Sequence, residues 1–152
     1  MIPTQIIIHH TASSFNTPIA EINRWHKFRG FPESSLGGFI GYHYVIDASG
    51  KLYQTRRDSE IGAHSPPNEG KIGIALIGNF MLTDPTIDQI DKLTELVNKL
   101  KSIYKINYVK GHRDCNPTDC PGDNLYKFAL IDKISFLQRL INFLKNKIYP
   151  YV

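Results

Sequence analysis

The stretch Gly111-His112-Arg113-Asp114-Cys115-Asn116-Pro117-Thr118-Asp119-Cys120-Pro121-Gly122 places an imidazole and two thiols in one turn-rich loop. A histidine and a cysteine can meet at a single cation when such a loop folds back between them. Far earlier in the chain, Ile6-Ile7-Ile8-His9-His10-Thr11 delivers further imidazoles from the end of an apolar run. Two imidazoles and one thiolate, with a fourth position left to water, form the donor set of a catalytic zinc; a structural zinc is closed by four protein ligands. The residues alone leave two choices open. Adjacent side chains on a strand point to opposite faces, so only one of His9 and His10 faces a given pocket. Either Cys115 or Cys120 can supply the sulfur, and the two together would close the site to water.

The chain that must position these groups has 152 residues and is 41% hydrophobic, which suits one globular domain with a sizeable core. A formal charge of +4 and a pI near 9.0 favour approach to an anionic polymer, although many ordinary proteins are this basic and nucleic acid is not expected as a partner. Only Cys115 and Cys120 are available, too few and too close together for a disulfide-stapled scaffold. No apolar segment approaches a bilayer span, so membrane insertion is not expected. The amino terminus reaches His9-His10 before a signal-peptide core of about 7–15 residues can form. The expectation is synthesis in the cytoplasm without a signal peptide, and nothing in the sequence fixes the oligomeric state, with a monomer favoured.

Hydrophobic periodicity divides the chain into alternating strands and helices. Gln5 to His9 is isoleucine-rich and reads as a strand buried on both faces. Thr17-Pro18 offers a cap and a first-turn proline for a helix whose inner side carries Ile22, Trp25, Phe28 and His26, with Gly30 at its end. Tyr42 to Ile46 and Lys51 to Gln54 read as two strands joined by the glycine-bearing turn at Asp47-Gly50. Ile72 to Ile77 is a further buried strand. Thr86 and Gln89 stand in capping-box positions ahead of Ile87, Ile90, Leu93, Val97 and Leu100, which marks the second helix. Asn107 to Val109 is a short strand feeding the cysteine loop. Ile131, Ile134, Leu137, Leu140, Ile141 and Leu144 mark a carboxy-terminal helix. The predicted class is α/β: a single domain with a central mixed β-sheet flanked by helices.

The order IIIHHTA, WHKFRGF, GYHYVID, IGAHS, IGIALIGNF and GHRDCNPTDCPG, from about residue 5 to about residue 126, resembles the zinc-dependent N-acetylmuramoyl-L-alanine amidases of the phage-lysozyme and peptidoglycan-recognition-protein type. The resemblance implies an amidase domain over residues 1–152 and one Zn2+ per chain, held by His9, His112 and Cys120. In such a site bound zinc brings the pKa of water from near 16 down to about 7 and polarises the carbonyl under attack. The implied reaction is hydrolysis of the amide between N-acetylmuramic acid and L-alanine, the first residue of the peptidoglycan stem, so the implied partners are peptidoglycan or soluble muropeptides.

The same resemblance assigns further residues. The family's catalytic tyrosine falls on Tyr42. With an ordinary pKa near 10 a tyrosine is a poor isolated base at neutral pH, so the expected role is to orient water and developing charge. Thr118 stands where phage members often carry a lysine; its hydroxyl can donate to an oxyanion but brings no charge, and neutral hydrogen bonds are roughly half as strong as charge-assisted ones. His64 maps to a position lining the substrate groove, His43 is expected to support the site from behind, and His10, His26 and Trp25 are read as packing residues. Asn79 and Arg113 either touch ligand or fix loops. The glycine- and serine-rich loop from Pro32 to Phe39 precedes Tyr42 and is placed to influence substrate choice. Binding-only relatives typically lack the cysteine, so Cys120 implies an enzyme. A phage-type endolysin, released to the wall when the membrane is permeabilised, is the first expectation. The alternatives are a cytoplasmic amidase recycling muropeptides, a non-catalytic peptidoglycan-binding module and a protein stabilised by a closed structural zinc.

Overall fold

The computed structural model describes residues 1–129. The stripe from Ile131 to Leu144, read above as a carboxy-terminal helix, lies outside the described residues.

Isoleucine-rich runs become the middle of the sheet because their side chains can be buried on both faces. Strand β1 covers Gln5–His10, β2 Tyr44–Ile46, β3 Leu52–Gln54, β4 Lys71–Leu76 and β5 Tyr108–Gly111, in the spatial order β3-β2-β4-β1-β5. β2 and β3 form an antiparallel pair, while β2–β4, β4–β1 and β1–β5 are parallel, which makes the expected mixed sheet. Every residue of β4 is buried, as a strand covered on both sides requires.

One face of the sheet carries Ile6, Ile8, Ile72, Ile74 and Leu76, which pack with Leu93, Leu96, Val97 and Leu100 of helix α2 (Ile87–Tyr104). Leu93 is fully buried, and truncating such a leucine to alanine costs about 2–5 kcal/mol. α2 begins as predicted: Gln89 N donates to Thr86 Oγ1, and Thr86 N donates to Gln89 Oε1. Gln89 Nε2 also donates to the Ile77 carbonyl, tying the helix start to the residue after β4.

The opposite face carries the smaller cluster of Ile22, Ile40, Val45 and Ile77 under helix α1 (Ile19–Phe28). By strand alternation, His9 emerges on this second face beside Ile7, whereas His10 points with Ile6 and Ile8, and its Nδ1 accepts from the Phe80 N–H. Helix α3 (Asp123–Ala129) follows the cysteine loop and packs against β5.

Four local expectations are corrected. Phe28 is 93% exposed, since it falls roughly 120° around the helix from Ile22 and the inward position goes to His26. Pro18 is the residue before the helix, with extended ψ of 147°, and Ile19 is the first helical residue. Ile87 is exposed at the first position of α2, where Gln89 and Ile90 take the inward side. Tyr42 and His43 lie outside β2, where Thr55 Oγ1 binds the Tyr42 carbonyl and the chain bends before pairing begins at Tyr44.

Candidate metal centre

Parallel pairing brings His9 and His112 together. Ile8 is in register with Gly111, the last residue of β5, so His9 and the residue just past that strand, His112, emerge side by side with ring centroids 4.5 Å apart. His112 opens a single 3-10 turn, His112–Asp114, and Gly111 N donates to Asp114 Oδ2 to begin it. The loop then closes on itself: Arg113 N donates to the Cys120 carbonyl at 2.9 Å, while the Arg113 guanidinium binds the Asp119 carbonyl and the Asp123 carboxylate. Gly122, with φ of +88°, lets the returning chain pass against Phe80, where an added Cβ would lie 2.4 Å from the Phe80 carbonyl carbon. Arg113 is thus a loop-fixing residue, and so is Asn79, which accepts from Met81 N and Leu82 N.

This architecture gathers one metal-ligating atom from each of His9, His112 and Cys120 within 4.8 Å of one another. Among the described residues it is the one such group, and Cys115 is not part of it. The donor set fits zinc on two counts. Bonds of about 2.3 Å to sulfur and about 2.0–2.1 Å to nitrogen, at a tetrahedral angle, put the two donors about 3.6 Å apart. Cys120 Sγ lies 3.6 Å from His9 Nδ1. The protonation states also suit a cation. Burial, then the neighbouring His64 and His112, holds His9 well below its ordinary pKa, and burial likewise lowers His112 against the opposing pull of Asn116. Both imidazoles are therefore neutral ligands at pH 7. Burial pushes the Cys120 thiol up to about 12, a cost that a coordinated cation reverses by stabilising the thiolate.

The three residues line a cavity of about 460 Å³ shared with Tyr42, His64 and Thr118. The Tyr42 ring stands 5.1 Å from that of His9 and 5.2 Å from that of His26. Burial raises its phenol pKa, the nearby Cys120 adds to this, and Arg29 opposes it, so the group is a neutral hydrogen-bond donor at physiological pH. Thr118 Oγ1 accepts from Cys120 N at 3.2 Å. His64 is only 8% exposed, and its Nδ1 lies 3.0 Å from His9 Nε2.

A family model described as N-acetylmuramoyl-L-alanine amidase matches residues 1–123. The chain belongs to this family. Its structure is similar to that of the N-acetylmuramoyl-L-alanine amidase LysC from Clostridium intestinale URNW, with a TM-score of 0.77, 32% identity, and coverage of 91% of this chain and 87% of that one. The Ph2119 endolysin from the Thermus scotoductus bacteriophage Ph2119 aligns with a TM-score of 0.71 at 27% identity, covering 81% and 79% of the two chains. Peptidoglycan-recognition protein SD of Drosophila melanogaster is 41% identical over 98 residues, which are 62% of this chain and 52% of that protein; the match thus spans about half of that relative.

His9, Tyr42, His64, His112, Thr118 and Cys120, the residues given metal, catalytic and substrate roles from the sequence, all border this cavity. His43 is buried behind it, with Nδ1 accepting from Gly73 N and Nε2 bound to the Glu60 carbonyl. Two packing histidines also reach the cavity wall. His26 Nδ1 accepts from Gly41 N and so holds the backbone just before Tyr42. The loop from Pro32 to Phe39 is tethered by the buried Arg56, which donates to the Ile40 and Pro32 carbonyls. Among the described residues, no helix is long and apolar enough to cross a membrane.

Asn116, Ser65 and Arg29 went unread in the sequence. Asn116 joins the cysteine loop to the His64 segment: its amide donates to the Pro66 carbonyl and its oxygen accepts from Ser65 Oγ. The Asn-Pro pair inside the loop was the available signal for such a turn-fixing amide. Arg29 lines the cavity from the end of α1, and nothing in the local pattern separates it from a solvated helix terminus.

Proposed function

We propose that the chain is a zinc-dependent amidase that hydrolyses the bond between N-acetylmuramic acid and L-alanine in peptidoglycan, working as a phage-type endolysin. The observation that carries this reading is the convergence of one ligating atom each from His9, His112 and Cys120 within 4.8 Å, with Cys120 Sγ and His9 Nδ1 at the 3.6 Å separation of a tetrahedral pair. The family match and the likeness to the Clostridium amidase support it.

His9, His112 and Cys120 would hold one zinc per chain. The ion would supply Lewis-acid polarisation of the scissile carbonyl and acidify water for attack. Tyr42 orients the attacking water and donates its phenol proton in a hydrogen bond toward the charge that develops as the amide carbonyl becomes tetrahedral. Thr118 contributes a second, uncharged donor on the side of Cys120. His64 forms part of the wall against which the muramoyl-peptide lies. The proton that the attacking water loses passes to the leaving amine of L-alanine as the C–N bond breaks.

The test is direct. Purified, zinc-loaded protein incubated with intact sacculi is expected to release stem peptides bearing a free L-alanine amine, and a chelator is expected to stop the release. Wall binding without cleavage would identify a binding module instead. Turnover of soluble muropeptides but not of sacculi would identify a recycling enzyme.

A further inference from the structure

His9 has two ring nitrogens and only one can hold a metal. Nδ1 faces Cys120 Sγ at 3.6 Å, while Nε2 faces His64 Nδ1 at 3.0 Å across rings set 84° apart. For Nδ1 to present a lone pair to a cation, the proton of neutral His9 must sit on Nε2. That proton then points at His64 Nδ1, which must be an acceptor, and His64 in turn carries its own proton on Nε2. His64 Nε2 is buried and has no hydrogen-bond partner among the described residues, so nothing there competes for the orientation set by His9.

The His64 ring is held in a slot cut by two missing side chains. A Cβ on Gly73, in the interior of β4, would come within 2.7 Å of the His64 ring, and one on Gly62 would come within 2.6 Å of its Cδ2. His43 closes the slot edge-on at a ring-centroid distance of 5.6 Å. The backbone at His64 is fixed as well, since the N–H groups of His64 and Ser65 both donate to Asn68 Oδ1. A glycine inside a strand marks a place where another group must approach closely, and here that group is an imidazole.

We propose that His64 is a positioning residue for the metal centre: by accepting from His9 Nε2 it selects the tautomer and ring plane in which His9 Nδ1 meets the cation, and Gly73 supplies the space that lets it do so. The inference rests on the metal centre proposed above. Partners of this kind typically change metal affinity 10- to 100-fold when removed.

The experiment compares zinc affinity, by competition with a chromophoric chelator, in the wild type, His64→Phe, His64→Gln and Gly73→Ala, with circular dichroism melts to confirm folding. His64→Phe fills the slot without an acceptor and is expected to bind zinc 10- to 100-fold more weakly, as is Gly73→Ala. His64→Gln restores an acceptor oxygen and is expected to recover most of the loss. A nitrogen-15 spectrum of the zinc-free wild type is expected to show His9 mainly protonated on Nε2, with that preference lost in His64→Phe. Unchanged zinc affinity in a folded His64→Phe overturns the proposal, and a raised KM with unchanged affinity would make His64 a substrate contact only. If His64→Phe does not fold, His9 protonated on Nδ1 in the wild type overturns it alone. Failure of the wild type to bind zinc at all would instead remove the metal centre, a separate outcome.

Discussion

Cys120 Sγ lies 3.6 Å from His9 Nδ1 although 111 residues separate them in the chain. The contact joins the first strand to the last loop of the site, and it makes the sulfur the natural place to test the metal centre. Cys120→Ser replaces a thiolate by a hydroxyl that stays protonated. The variant should retain its fold and some affinity for peptidoglycan. Its zinc affinity should fall at least about 100-fold, beyond the loss typical of outer-sphere changes, and peptide release should become undetectable. Metal analysis of the purified protein, with about one zinc per wild-type chain expected, checks both halves.

Tyr42 offers a cleaner separation of binding from chemistry. Its ring sits between His9 and His26, so Tyr42→Phe keeps the packing and removes only the hydroxyl. Zinc content and KM should stay close to wild type. The kcat should drop by about 100-fold or more, the range seen when one donor to a developing oxyanion is lost. Steady-state kinetics on a muramoyl-dipeptide would read the split.

The parts of this site that were legible in the sequence are those governed by local pattern. Ile6 to Ile8 must be buried, and strand alternation then separates His9 from His10. Thr86 and Gln89 announce the start of α2 through a reciprocal hydrogen-bond pair that needs no distant partner. What escaped depends on contacts between segments. The resemblance put His64 on the groove, and it does line the cavity, but its bond to His9, 55 positions away, has no local signature. Phe28 looked like core because it is apolar at plausible spacing, but His26 takes the inward position by accepting from Gly41 N. Tyr42 looked like a strand residue, whereas the bend before β2 turns its ring into the cavity.

His26 gives the stability of the chain a pH dependence. Burial, helped by Arg29 and Arg56, lowers its pKa from 6.5 to about 4. Between those values the unfolded chain binds more protons than the folded one, so the stabilisation is complete above pH 6.5 and is lost as pH falls toward 4. Protonation would also place a second hydrogen opposite the Gly41 N–H and loosen the backbone before Tyr42. Urea unfolding of the zinc-free chain at pH 7.5, 6 and 5 should show stability falling with acid. His26→Gln, which keeps an acceptor but cannot titrate, should show a shallower fall. Equal slopes in the two proteins would count against this assignment.

Thr118 combines two tasks in one hydroxyl. Its oxygen accepts from Cys120 N, which fixes the backbone at the sulfur ligand, and the same hydroxyl still has its own proton to donate. The side chain is exposed at the cavity rim, so that proton is free to reach a substrate oxygen. Thr118→Ser should preserve both tasks and leave kcat within a few-fold of wild type. Thr118→Val keeps the shape and removes both, with an expected loss of about 1 kcal/mol of stability from the unpaired Cys120 N–H. A neutral donor contributes less than a charged one, so the accompanying fall in kcat should be nearer 10-fold than the loss at Tyr42. If Thr118→Val loses stability but keeps full kcat, the residue is a turn cap and oxyanion stabilisation falls to Tyr42 and the cation.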